Sequence, residues 1–310
     1  MLINDPPVEI TENLLMLGTN EYPLFLFKGT REGAVIEGGV GPMGPLVLEQ
    51  LEDLAIGRDF IKQLIILHGH PDHVMAVPSL REALPAVTVI ASPAAKQTLL
   101  VEKALSFFCK VDEQLTDSLL KAGVIDQRHR PKPLAEMQIA VDQIVEDGDT
   151  INIDGTSFNV LETPGHSDCS LSLHEPLSGV LFISDASGYY MHQHDYWWPN
   201  YFVGYGVYID TMRRLARLDA EIICLGHLAV IKGAGNVKSY FDAAIAATEQ
   251  FHQRIVDEAK AGRPVRQIAE MLGAEVYKKT QLMPLEFLQK NCGLLVKQSF
   301  KHEGIEVEKK

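Results

Sequence analysis

Short apolar runs, each closed by Gly, Pro or Asp, recur through the first three quarters of the chain. Their length predicts strands. They fall at Leu14–Leu17, Leu24–Lys28, Gly33–Glu37, Leu64–Leu67, Val87–Ala91, Thr150–Ile153, Ser157–Glu162, Ser170–His174, Val180–Ile183 and Ile222–Leu225. Apolar spacing of three to four predicts helices at Pro45–Leu54, Asp72–Leu84, Pro93–Ala122 and Asp210–Leu218. Strands dominate, several have turn-length connections, and helices intervene irregularly. This pattern predicts an α/β fold on two largely antiparallel sheets rather than a doubly wound parallel sheet. From about Val237 the strand runs stop. Three helical stretches follow, Val237–Ala261, Val265–Leu272 and Leu282–Phe300, punctuated by Gly262–Pro264 and Gly273. The change of texture predicts a domain over residues 1–236 and a helical appendage over 237–310.

Composition narrows the classes. The chain has 310 residues, 46% of them hydrophobic, enough for a sizeable core. Its 28 basic and 41 acidic side chains give a net charge of −13, and no Lys/Arg-rich run interrupts the acidity. Such a surface offers no footprint for a nucleic-acid backbone and disfavours an anionic membrane. No apolar run approaches a membrane span, and the start, MLINDPPVEI, has no basic segment leading into an apolar one. Cys109, Cys169, Cys224 and Cys292 form no C-x-x-C pair and read as reduced thiols. A cytoplasmic protein acting on a small molecule is the expectation. Neither G-x-G-x-x-G after a strand nor a P-loop motif occurs, so nucleotide binding has no support.

The chemistry concentrates after the strand Leu64–Leu67, where His68-Gly-His70-Pro-Asp72-His73 places four ligand-capable side chains in six residues. Extended backbone sends His68, His70 and Asp72 to one side, and a turn into a helix swings His73 toward them. With 11 histidines in the chain, chance places three at set positions only about 0.01 times per chain. Imidazole and carboxylate suit Zn²⁺, Fe²⁺ or Mn²⁺ alike. Three further candidates stand where strands end: His166 in Thr163-Pro-Gly-His, Asp185 after Phe182-Ile-Ser, and His227 in Leu225-Gly-His.

This ordered set, H-x-H-x-D-H, then G-H, a strand-end Asp and a second G-H, resembles the metallo-β-lactamase superfamily of hydrolases over roughly residues 8–235. The resemblance implies a four-layer αβ/βα sandwich with two divalent metal ions at one edge of the sheets. It implies that His68, His70 and His166 bind one ion, that Asp72, His73 and His227 bind the other, and that Asp185 bridges them. Two such ions sharing a water lower its pKa from about 15.7 toward about 7. The expected reaction is attack of a metal-bridging hydroxide on an ester, thioester or lactone carbonyl, with Asp72 as ligand and orienting catalytic group. Asp185 stands where the best-known zinc β-lactamases carry cysteine, and His70 where flavodiiron oxygen reductases carry glutamate, which argues against both chemistries. Glu37-Gly-Gly, Gly165-His-Ser-Asp168 and the appendage resemble the quinolone-signal response thioesterases of bacterial quorum sensing. A phosphoesterase on a small substrate and a regulatory ligand-binding protein of the same fold are the alternatives.

After Asp185 comes an aromatic stretch holding Tyr189, Tyr196, Trp197 and Trp198. These side chains either line the substrate cleft or pack the appendage or a homodimer interface. Glu37 is expected to support the site from behind, and Asp168 either to hold His166, to face a substrate, or to stabilise its own turn. Cys169, Cys224 and Cys292 read as small buried hydrophobes. Through the resemblance, the appendage is expected to cap the cleft or to dimerise.

Overall fold

The structure is a computed structural model and describes residues 1–84, 86–281 and 283–306. Its strands are β1 (Leu2–Ile3), β2 (Val8–Thr11), β3 (Leu14–Gly18), β4 (Pro23–Lys28), β5 (Gly33–Ile36), β6 (Ile61–Ile65), β7 (Thr88–Ala91) and β8 (Gln143–Ile144). They continue as β9 (Thr150–Ile153), β10 (Thr156–Glu162), β11 (Leu171–Glu175), β12 (Val180–Ser184), β13 (Tyr189–Met191), β14 (Tyr196–Trp198), β15 (Ile222–Leu225) and β16 (Val230–Lys232). The helices are α1 (Met43–Asp53), α2 (Val77–Ala83), α3 (Pro93–Leu99), α4 (Glu102–Ala122), α5 (Tyr205–Ala216), α6 (Ala234–Lys260), α7 (Val265–Tyr277) and α8 (Leu285–Glu303).

One seven-stranded sheet runs β2 to β8 in chain order; the other runs β1-β16-β15-β12-β11-β10-β9. The expectation of largely antiparallel sheets holds for the second, where only β12 and β15 pair in parallel. It fails for the first, which is antiparallel from β2 to β5 and parallel from β5 to β8. The helices explain this: α1 carries the chain from β5 back to start β6, and α2 does the same between β6 and β7, the crossover that parallel strands require.

Strand alternation builds two cores. Leu14, Met16, Phe25, Phe27 and Ile65 meet Phe158, Val160, Leu173 and Phe182 between the sheets. Phe27 and Phe158 pack edge to face at 4.9 Å. The intervening residues, Leu15, Leu17, Leu24 and Leu64 on one sheet and Leu181, Ile183 and Ile223 on the other, pack outward with helical residues such as Val47, Leu80, Met212 and Phe241. Strands buried on both faces read as continuous apolar runs, which is why these are visible in the sequence. The result is the four-layer αβ/βα sandwich.

Several boundaries differ from expectation. The helix expected from Asp72 is a 3₁₀ turn over Pro71–His73, and α2 begins only at Val77. The stretch Pro93–Ala122 is two helices, because Val101 turns extended and caps α4. The helix expected at Asp210 starts earlier, at Tyr205. The apolar pattern does not anticipate the short edge strands β1, β2 and β8, the three-residue β16 between β1 and β15, or the β13–β14 hairpin. The third tail helix begins at Leu285; Leu282, its expected start, and residues 307–310 of the appendage lie outside the described residues. All four cysteines are free thiols, and among the described residues no helix is long and apolar enough to cross a membrane.

Candidate metal centre

The site forms where strands of both sheets end at one edge. The chain leaving β6 is fastened on both sides: Ile66 N donates to Ile90 O at 2.8 Å, and Leu171 N donates to Leu67 O at 2.7 Å. Gly69 N donates to Cys169 Sγ at 3.2 Å, so half-buried Cys169 serves as an acceptor rather than only as a small hydrophobe; Cys224 and Cys292 are fully buried as expected. Pro71 opens the 3₁₀ turn that brings His73 N to His70 O at 3.0 Å and rotates His73 inward. Beyond it, Met75 N and Ala76 N donate to the carbonyls of Gly39 and Gly38, docking this loop on the Glu37-Gly-Gly segment. His166 follows a turn that only glycine fits. Gly165 has φ +130°, and a β-carbon there would stand 2.5 Å from the Tyr208 α-carbon. Asp185 and His227 leave β12 and β15 on the same edge because those strands run parallel.

Seven side chains converge there. Ligand atoms of His68, His70 and His166 lie within 4.8 Å of one another, and so do those of Asp72, His73 and His227. Between the groups, Asp185 Oδ2 is 3.3 Å from His166 Nε2, and Oδ1 is 3.3 Å from His227 Nε2 and 3.6 Å from His73 Nε2. Asp72 Oδ2 is 3.7 Å from His73 Nε2 and 3.6 Å from His227 Nε2.

The outer nitrogens decide which atoms face inward. His166 Nδ1 donates to Asn200 O at 3.1 Å and His227 Nδ1 donates to Glu21 O at 2.6 Å. A carbonyl can only accept, so Nδ1 carries the proton and Nε2 of the neutral ring presents a lone pair to the centre. His73 Nδ1 lies 3.0 Å from Glu37 Oε2, and His68 Nδ1 lies 3.0 Å from Ser184 Oγ. His68 Nε2 is buried with no hydrogen-bond partner. Buried nitrogens are seldom left so, and a cation at this point satisfies it. The donor set of imidazoles and carboxylates, with the rings of His68, His73, His166 and His227 each braced by an outer partner, fits divalent Zn, Fe or Mn. Glu37 can also be grouped with His68 and His73, but its Oε2 engages the outer face of the His73 ring.

Charge is divided unevenly over the cluster. Burial, reinforced by neighbouring histidines, holds His68 well below the ordinary imidazole range and His166 down at about 3; burial also lowers His70 against Asp72 and Asp185. These three are neutral imidazoles at pH 7. At His73 burial acts downward too, but Glu37, Asp185 and Asp72 outweigh it and raise the ring to about 10. His227 is raised against burial by Asp185. Asp185 resists its own burial because His227, His73 and His166 hold it well below the carboxylate range.

The centre opens into a cavity of about 330 Å³ whose floor includes His70, Asp72, His166, Asp185 and His227. Of the expected substrate contacts, Tyr189 and Trp198 line it. Tyr196 and Trp197 do not: Trp197 stacks on Tyr190 at 4.0 Å and Tyr196 lies beneath Lys279. The period of two in β14 separates Trp197 from Trp198. Asp168 is exposed, and the role of holding His166 falls to the Asn200 carbonyl. Phe202, from the same aromatic stretch, also lines it, and the other walls come from residues the sequence did not single out as site residues: Phe107, Val111 and Leu115 of α4, Met283, and Phe287, Asn291 and Leu294 of α8. For those on α4 and α8 the only signal is the amphipathic pattern of the two helices, which is also that of any packed helix, and Met283, just before α8, carries none.

A family model, the metallo-beta-lactamase superfamily, matches residues 24–227. The chain therefore belongs to the metallo-β-lactamase superfamily, whose members are mainly metal-dependent hydrolases. Among solved structures, a metallo-beta-lactamase family protein from Thermus thermophilus superposes with TM-score 0.64 at 17% identity, covering 96% of this chain and 95% of that one. An archaeal superfamily protein from Sulfolobus tokodaii gives 0.52 at 16% identity, covering 72% and 80%. A B3 metallo-beta-lactamase with an active-site glutamic acid gives 0.55 at 16% identity, covering 80% and 90%. At these identities the likeness is one of fold.

Proposed function

We propose that the protein is a dinuclear metal-dependent hydrolase of uncharged acyl compounds, esters or thioesters first and lactones next. The observation that carries this reading is the junction of the seven-ligand cluster with a cavity walled mainly by apolar side chains. His68, His70 and His166 would hold one ion, Asp72, His73 and His227 the other, and Asp185 would span them. Bound there, the pair of ions supplies Lewis acidity and an ionised water at neutral pH. The chain's own residues then do the rest. Asp72, on the cavity floor with its side chain 19% exposed, accepts a hydrogen bond from the attacking water and orients it. Tyr189 lines the cavity, and burial keeps its hydroxyl, which has no hydrogen-bond partner among the described residues, protonated. Val111, Leu115, Trp198 and Met283 exclude bulk water from the reacting carbonyl.

Among the described residues no Lys or Arg lines the cavity. A phosphoester or a substrate carboxylate would find no side-chain cation beyond the ions themselves, which favours the acyl reading over the phosphoesterase one. The Glu37-Gly-Gly and Gly165-His-Ser-Asp168 segments, together with a tail helix over the cavity, keep the quinolone-signal response thioesterases as the branch to compare, so thioesters head the test panel. Metal analysis of purified protein should return up to two transition ions per chain. The metal-replete protein should hydrolyse neutral thioesters or aryl esters in preference to phosphoesters, and should lose that activity to a chelator. Turnover of phosphoesters alone would overturn the reading.

A further inference from the structure

The cavity has two ends of different character. Its floor is the metal centre. Its mouth lies between α4 and α8, where Phe107 and Leu294 both line the cavity and are nevertheless 56% and 40% exposed. Between floor and mouth the wall is Val111, Leu115 and Met283, all buried. Beside the mouth, Val101 is 49% exposed and shares with Phe107 a groove on the outer side of α4. Large apolar side chains held half in water at the end of an apolar channel leave hydration that an apolar ligand would relieve. A volume near the lower end of the roughly 300–1,000 Å³ usual for ligand sites holds a small head group. Only an extended chain leaving through the mouth can also cover the outer faces of Phe107 and Leu294.

The geometry points to a substrate whose acyl part is an uncharged linear chain, running from the metal floor past Val111 and Leu115 and out between Phe107 and Leu294. These two side chains set the preference for longer over shorter chains. The position of the carbonyl rests on the acyl-hydrolase reading above; the binding of the chain does not.

The test therefore separates binding from turnover. In a Trp197→Phe protein, Trp198 on the cavity wall is the remaining tryptophan reporter. Its fluorescence is titrated with N-methylbutanamide, N-methylhexanamide and N-methyloctanamide, neutral amides that carry the chain on the acyl side and serve as unreactive analogues. Affinity should rise about fourfold per methylene inside the channel and about twofold at the half-exposed mouth. Phe107→Ser with Leu294→Ser, both at exposed positions, should weaken N-methyloctanamide about tenfold and change N-methylbutanamide less than about twofold. In the metal-replete enzyme the same pair should lower kcat/KM for p-nitrophenyl octanoate about tenfold and leave the acetate near the wild-type value. Affinity independent of chain length, or equal losses for short and long chains, would overturn the inference. So would a variant that merely changes from dimer to monomer with ligand affinity intact, which would assign the mouth to a contact between copies of the chain. Chain-length-dependent binding without hydrolysis of any ester would support the channel and overturn the acyl-hydrolase function instead.

Discussion

Glu37→Gln tests how the centre controls its own protons. Glu37 and His73 are 1% and 2% exposed, with Oε2 and Nδ1 3.0 Å apart. Glutamine keeps the size and leaves an amide oxygen to accept the Nδ1 proton, so the change is chiefly one of charge. Two effects follow with opposite signs. Loss of a carboxylate that orients and enriches a ligating imidazole costs about 10–100-fold in metal affinity. Loss of the same charge also lowers the His73 pKa, which Glu37 helps to hold at about 10. At pH 7 an ion entering the wild-type site must displace that proton, so each pKa unit removed returns about a factor of ten. Near neutrality the effects offset. As the pH rises toward 10 the wild-type ring loses its proton and the variant's advantage disappears. The affinity ratio of wild type to variant at the Asp72–His73–His227 site should therefore widen, by up to about tenfold per pH unit, between pH 7 and 9. Competition against a chromophoric chelator in metal-buffered solution reads both binding steps. The His68–His70–His166 site should stay within about threefold throughout. A ratio constant with pH, or equal losses at both sites, would refute the coupling of Glu37 to His73.

Three further outcomes follow from the same geometry. His68→Ala together with Asp185→Ala removes a buried ligand and the carboxylate shared by both groups, so inductively coupled plasma analysis should find the bound metal largely lost; full occupancy would contradict the assignment. In chelator-treated protein, His68, His70 and His166 are depressed below their unfolded pKa near 6.5, so the stability they leave intact above pH 6.5 falls as the pH drops, at up to about 1.4 kcal/mol per unit for each ring. His73 and His227 are raised, so their contribution is complete below about pH 6.5 and is lost as the pH climbs, toward about 10 for His73. Urea unfolding of the metal-free protein should thus show maximal stability near pH 6.5, and a monotonic rise from pH 5 to 9 would sink this account. Gly226→Ala places a β-carbon 2.4 Å from Asp185 Oδ1 and 3.2 Å from the His73 ring. It should weaken binding of the second ion about tenfold or more while far-UV dichroism stays unchanged; unaltered metal stoichiometry and affinity would show that Asp185 can yield without consequence.

The legible and illegible parts of the site differ for a physical reason. His68, His70, Asp72 and His73 stand out because so many ligand-capable side chains seldom crowd into six residues by chance. His166, Asp185 and His227 are single residues, readable only as the ends of apolar strands; parallel pairing of β12 and β15 then sets two of them on one edge. Partners such as Asn200 O and Glu21 O are backbone atoms and carry no residue signature at all. In the fold, doubly buried strands stand out as apolar runs, whereas two- to four-residue edge strands have too little pattern to be seen. The break at Leu100–Val101 lacks Gly or Pro, so the periodicity runs through it.

Phe107 and Leu294 illustrate the harder case. Each looks like one more apolar residue on an amphipathic helix, and nearly two hundred positions separate them in the chain. Tertiary packing alone makes them two jambs of one opening. The consequence is a division of labour across the cavity. The rings of His73, His68, His166 and His227 are oriented by Glu37, Ser184, Asn200 O and Glu21 O in turn, all carried by strand ends and loops of the sandwich. Among these partners none belongs to α4 or α8, which instead shape the walls above. A link does cross the boundary: buried Asp112 of α4 accepts a hydrogen bond from Gly41 N at 2.6 Å, bracing the segment that follows Glu37-Gly-Gly. Substitutions on the cavity face of α4 other than Asp112, and on that of α8, should therefore alter which molecule is bound without altering how the ions are held. Substitution of Asp112 is expected to reach both.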